Sequence, residues 1–192
     1  MARMWLTTLA VLCVPRFAVC QTDFEKYIDE IRKTGMSESA ASDVRTAADL
    51  LGGGSTFRAT RTPEGYVGRS YSGNMCFLRT KDERLLEKQR TLREKINAKV
   101  DAWAKFLQKQ ADTDGSGFVS TDEGRVLRRR VEMGLIAVQL TPTVDELAKA
   151  VFEDRAGVLA DIAAYSRLFA EARKQGLDGM PELPADLVAA AG

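Results

Sequence analysis

The sequence predicts an all-α fold with a helix–loop–helix at its centre, and three observations carry this. A long amphipathic segment from residue 80 to about 111 repeats its apolar residues at near-helical spacing. A twelve-residue acidic, glycine-containing loop follows it directly. A second helical segment then opens on a capping box, Ser120 with Glu123.

Composition sets the outer bounds. The chain has 192 residues, 45% of them hydrophobic, enough for a real core. A net charge of +1 is too balanced to point to nucleic acid as the main partner. Histidine is absent, which removes Ser-His and Cys-His catalytic pairs and histidine metal ligands. No nucleophile–base pair is readable, so an enzyme is not expected. Of the three cysteines, Cys13 and Cys20 fall in the leading segment. Cys76 is then alone, a buried thiol or one half of an intermolecular disulfide.

Residues 1–20 read as a signal peptide: Arg3, an apolar run from Met4 to Val14, then Ala18-Val19-Cys20 as a small-x-small cleavage site. Its removal takes two arginines and moves the net charge from +1 to −1. An exported protein, periplasmic or secreted, is expected, with a lipid anchor on Cys20 as the lesser alternative. No later segment is long and apolar enough to span a bilayer.

Residues 21–79 form a first region. Phe24, Tyr27, Ile28 and Ile31 make one stripe of a short helix over Asp23–Lys33, ended by Gly35. Ser37 or Ser39 starts another helix, running to about Leu51 and stopped by Gly52-Gly53-Gly54. From residue 55 to 79 the composition turns to Gly, Ser, Thr and Arg with scattered aromatics, consistent with a small β-hairpin near 56–78 or a long loop. Gly52-Gly53-Gly54-Ser55-Thr56 lacks the Gly-Lys-Ser/Thr of a phosphate loop and reads as a linker.

Residues 80–176 carry the chemistry. Thr80 and Glu83 can form a capping box. Leu85, Leu92, Ile96, Val100, Trp103 and Leu107 are the expected core stripe of the long helix. The loop reads Asp112-Thr-Asp-Gly-Ser-Gly-Phe-Val-Ser-Thr-Asp-Glu123. Calcium takes six to eight oxygens, and this loop offers them at positions 1, 3, 5, 7 and 12: Asp112, Asp114, Ser116, the Phe118 carbonyl and both oxygens of Glu123. Ser120, at position 9, can act directly or through water. Gly117 sits at position 6, where the chain turns sharply. Val119 is the residue expected to point into the core.

These residues resemble the EF-hand family over about residues 101–135. The resemblance implies Ca2+ as ligand and an all-α fold: an EF-hand-like helix–loop–helix, a degenerate second hand, additional N-terminal helices and the small hairpin. Ala111 and Gln108 stand where the family often has Phe, so the entering helix is expected to pack through Trp103, Phe106 and Leu107. Only three ligands are acidic, which points to a micromolar or weaker site.

The family's hands usually pair through a strand contact at position 8. The expected partner lies downstream, with a helix from Thr141 or Thr143, the stretch Glu153–Ala160, and a helix capped by Asp161. Val158 or Leu159 would then make the contact; pairing across a homodimer is the alternative. Residues 177–192, with Pro181 and Pro184, read as a surface tail. Arg125, Arg128, Arg129 and Arg130 form either a solvated helix face or a patch for acidic lipid or phosphate. The function expected is calcium binding, structural or modulating a protein interaction. The alternative is a helical interaction protein of the cell envelope with the loop as scaffold.

Overall fold

A computed structural model describes residues 33–63, 65–72 and 81–192. Residues 1–20, expected to be a signal peptide, lie outside these residues, as do the three cysteines, Thr80 and nearly all of the helix expected over 23–33. The described chain is mostly helical, with one small antiparallel sheet. In order come α1 (Glu38–Gly52), β1 (Ser55–Thr62), β2 (Gly65–Ser72), α2 (Glu83–Ala111), α3 (Thr121–Leu140), α4 (Val144–Val151), α5 (Arg155–Lys174) and α6 (Ala185–Ala191).

Local chemistry fixes most helix starts. The Ser37 hydroxyl accepts the Ala40 N–H to begin α1. Ser120 with Glu123 begins α3, and Thr143 with Glu146 begins α4, both as complete capping boxes. At α2 the cap is Asp82, whose carboxylate accepts the Arg84 N–H. At α5 it is Asp154, not Asp161, and this moves the helix start upstream. Residues 158 and 159 are therefore inside α5, their backbone groups spent on the helix, so neither can make the strand contact expected of a downstream hand.

One continuous core unites the helices. α1 buries Ala40, Val44, Ala47, Ala48 and Leu51 against α2 and α3, so residues from the 21–79 region share the core of the long helix. α1 and α3 cross closely at Gly124, where an added Cβ would lie 2.6 Å from Ala40 Cα. Trp103, Phe106 and Leu107 are buried, as expected. The first half of α2 is not: Leu85 and Leu92 are 41% and 51% exposed, because no described element packs beside that end. The reading of 177–192 as a surface tail is also overturned. Met180, Leu183 and Leu187 are buried, and the Trp103 indole and Tyr165 hydroxyl donate to the Asp178 and Pro181 carbonyls. These bonds satisfy two buried aromatic donors.

β1 and β2 form a hairpin with Phe57 opposite Ser70 and Arg58 opposite Arg69. Phe57, Ala59 and Tyr66 pack on the core. Gln139 of α3 holds the β1 edge, accepting from the Ala59 N–H at 2.8 Å and donating to the Phe57 carbonyl at 3.0 Å.

The arginines of α3 turn mostly inward. Asp161 of α5 is the only charged residue among those described that is fully buried, and it receives Arg129 Nη2 at 2.6 Å and Arg130 Nε at 2.7 Å. Arg129 also meets Glu153, and Arg128 bridges Asp43 of α1 and Glu132. Arg125 pairs with Asp122 at the surface. This face is a set of internal ion pairs that clamps α1 and α5 to α3.

Removing one partner from a buried pair leaves the others uncompensated. Asp161→Ala is expected to cost about 3 kcal/mol in urea unfolding, and Arg125→Ala less than about 1 kcal/mol. Gly124→Ala, which drives the Cβ into Ala40, is expected to cost about 1–3 kcal/mol in the same assay.

Candidate metal centre

The loop from Asp112 to Glu123 joins the C-terminus of α2 to the N-terminus of α3. One carboxylate oxygen from each of Asp112, Asp114 and Glu123 can be chosen so that all three lie within 4.8 Å of one another. Two oxygens on opposite sides of a calcium ion would be about 4.8 Å apart, twice a bond of about 2.4 Å. The cluster is thus of the right size for such an ion, and its all-oxygen donor set suits a hard cation.

Backbone geometry brings the carboxylates together. Gly117 has φ +79°, a left-handed conformation that a side chain would strain. That turn aims successive N–H groups into the loop. Asp112 accepts from the Ser116 N–H at 3.0 Å and the Gly117 N–H at 2.9 Å. Asp114 accepts from the Ser116 N–H at 2.9 Å. The Ser116 hydroxyl accepts the Phe118 N–H and donates to the Phe118 carbonyl at 3.0 Å, so these two predicted ligand oxygens are neighbours.

Glu123 is held at both oxygens. Its Oε1 accepts from the Thr113 N–H and hydroxyl at 2.9 and 2.8 Å, and its Oε2 from the Ser120 N–H and hydroxyl at 2.9 and 2.8 Å. The Ser120 hydroxyl is therefore engaged as the cap of α3. Thr113 is a contributor that spacing rules did not single out; its hydroxyl beside position 1 was the available signal.

The electrostatics are one-sided. Among the described residues no Lys or Arg pairs with Asp112, Asp114 or Glu123. Their charge is met by N–H and O–H dipoles alone. Those dipoles hold Glu123 at a pKa of about 2, the Ser120 N–H contributing most and the Thr113 hydroxyl next. The Ser116 N–H likewise lowers Asp114. Both groups remain anionic through the neutral range.

The loop is tied to the body of the protein at Val119, which is 1% exposed. The Val119 N–H donates to the Gly35 carbonyl at 2.8 Å, and the Ser37 N–H donates to the Val119 carbonyl at 3.0 Å. This is an isolated parallel bridge with Met36. The partner of position 8 is therefore upstream, in the three residues before α1. It takes the place of the expected downstream contact and engages both backbone groups of Val119. A Ser37–Thr121 hydroxyl contact at 3.0 Å and a Gln108 side-chain bond to the Thr34 carbonyl at 2.9 Å fasten the same junction.

The depressed pKa of Glu123 fixes a pH dependence. A carboxyl lowered from 4.5 to about 2 by folding adds stability that is complete above the higher value and fades as pH falls through the lower one. The melting temperature of the protein in the presence of a chelator is expected to fall across this acid window. Glu123→Gln should flatten that part of the profile; a parallel profile in the variant would show that the carboxylate does not contribute.

Comparison with family models, curated proteins and solved structures finds no match to this chain, so a functional reading rests on the residues and their geometry.

Proposed function

We propose that this protein binds one calcium ion through an EF-hand-type loop, held by Asp112, Asp114, Ser116, the Phe118 carbonyl and Glu123. The observation that carries the reading is three carboxylates gathered within 4.8 Å with no cationic side chain among the described residues paired to them. Three like charges so close repel one another, and a divalent cation is the counter-charge an all-oxygen cluster of this size suits. When bound, the ion would supply charge neutralisation and a cross-link between the ends of α2 and α3.

A structural role fits best. The loop lies where α2, α3 and the segment before α1 meet, so an ion there would brace a junction rather than a free arm. Glu123 would exchange its Thr113 and Ser120 bonds for coordination. The protein is read as non-catalytic. Export remains the inference from residues 1–20. A second reading, an envelope interaction protein with the loop as scaffold, is supported by the exposed Leu85, Leu86 and Leu92 on the half of α2 against which no described element packs.

Calorimetric titration of the protein with calcium is expected to give one saturable site of micromolar or weaker affinity, abolished by Glu123→Gln. At a hundred times the dissociation constant, calcium should add about 2.7 kcal/mol to the unfolding free energy. No heat and no melting shift up to millimolar calcium would reject the site.

A further inference from the structure

Arg128, Arg129 and Arg130 of α3 are committed to ion pairs that reach other elements, whereas the outer face of the hairpin carries two arginines with no ion-pair partner among the described residues. Phe57, Ala59 and Tyr66 occupy the inner face. Alternation therefore puts Thr56, Arg58 and Thr60 of β1 and Val67, Arg69 and Tyr71 of β2 on the outer one, and all six are exposed. Arg58 and Arg69 are direct partners in the register. Gln139 binds the Phe57 carbonyl and Ala59 N–H from outside, so those two residues point away from β2. Arg58 then belongs to a hydrogen-bonded pair with Arg69, their Cα atoms about 5.5 Å apart.

Like charges directly opposite one another destabilise a sheet. Here neither arginine has an ion-pair partner among the described residues, and no acid stands on the face. Arg61, by contrast, lies on the inner side against the Tyr66 ring and hydroxyl and near Glu146. On the outer face the two guanidinium forks are flanked by Tyr71, 51% exposed, and Val67, 39% exposed.

We propose that this face docks on an anionic phospholipid surface, with Arg58 and Arg69 on lipid phosphates and Tyr71 and Val67 at headgroup level. Guanidinium forks match phosphate oxygens, and an aromatic with a polar tip suits the boundary between headgroup and acyl chain. The open shape of a two-stranded ribbon distinguishes the ligand. A free phosphate would stay largely solvated there, whereas a membrane presents many phosphates, a negative surface potential and an apolar layer for Val67.

The test is co-sedimentation of the full chain with phosphatidylglycerol vesicles at low salt, beside neutral phosphatidylcholine vesicles. Each arginine near an anionic surface is worth roughly a fivefold gain in partition. R58Q/R69Q is therefore expected to lower binding about thirtyfold while leaving circular dichroism unchanged. R84Q, removing an exposed charge on α2, should change it little, and added salt should release the wild type. Equal binding to neutral vesicles, an unchanged partition in the double variant, an equal loss in R84Q, or tighter binding to a DNA duplex at matched phosphate concentration would overturn the proposal.

Discussion

Two backbone hydrogen bonds, between Val119 and the residues on either side of Met36, decide how the rest of the molecule is arranged. They set the acidic loop against the start of α1, and from that contact the directions of three helices follow. α1 runs from Ser37 across α3 at Gly124, close enough that Ala40 lies against a bare glycine. α2 arrives at the loop with Trp103, Phe106 and Leu107 already turned inward. α3 leaves it from a cap that shares its carboxylate with the loop. A buried valine with both backbone groups paired has little freedom to shift, so the loop beside it is fixed from outside as well as by its own bonds.

Charge is used in two different ways across the molecule. Around Asp161, opposite charges are collected in a partly desolvated seam, where geometry matters more than number. At the acidic loop and on the hairpin, like charges are brought together, met by backbone and hydroxyl dipoles in the loop and left exposed on the hairpin. The first arrangement holds elements in place. The other two leave a local excess of one sign, and such an excess is what a ligand of opposite sign can relieve.

How far the sequence could be read followed the distance over which each feature acts. The loop and the capping boxes at Ser120 and Thr143 depend on residues three to eleven positions apart, and their spacing was readable. The hairpin was readable only as an alternative to a loop, because its register depends on docking against Gln139 and the core. The helix–loop–helix pattern downstream of the loop points to a partner for Val119 on that side. The real partner is three residues with no ligand spacing of their own. Asp161 looked like a cap because it precedes an apolar run; its arginine partners, more than thirty positions earlier, left no local trace. Pro181 and Pro184 hid the burial of Met180, Leu183 and Leu187, since prolines interrupt the periodicity that announces a core face. The exposure of Leu85 and Leu92 was invisible for the converse reason: an amphipathic stripe does not say whether a neighbour exists.

The junction at Ser37 and Thr121 joins residues 84 positions apart, and this separation orders events in time. The turn at Gly117 and the cap of α3 close over short loops, which cost little chain entropy and form quickly. The pairing of Val119 requires a much larger loop to close first. A nascent chain can therefore gather its three carboxylates well before the strand-like clasp exists. What completes late is the frame around them, so rigidity at the loop marks the end of folding rather than its beginning.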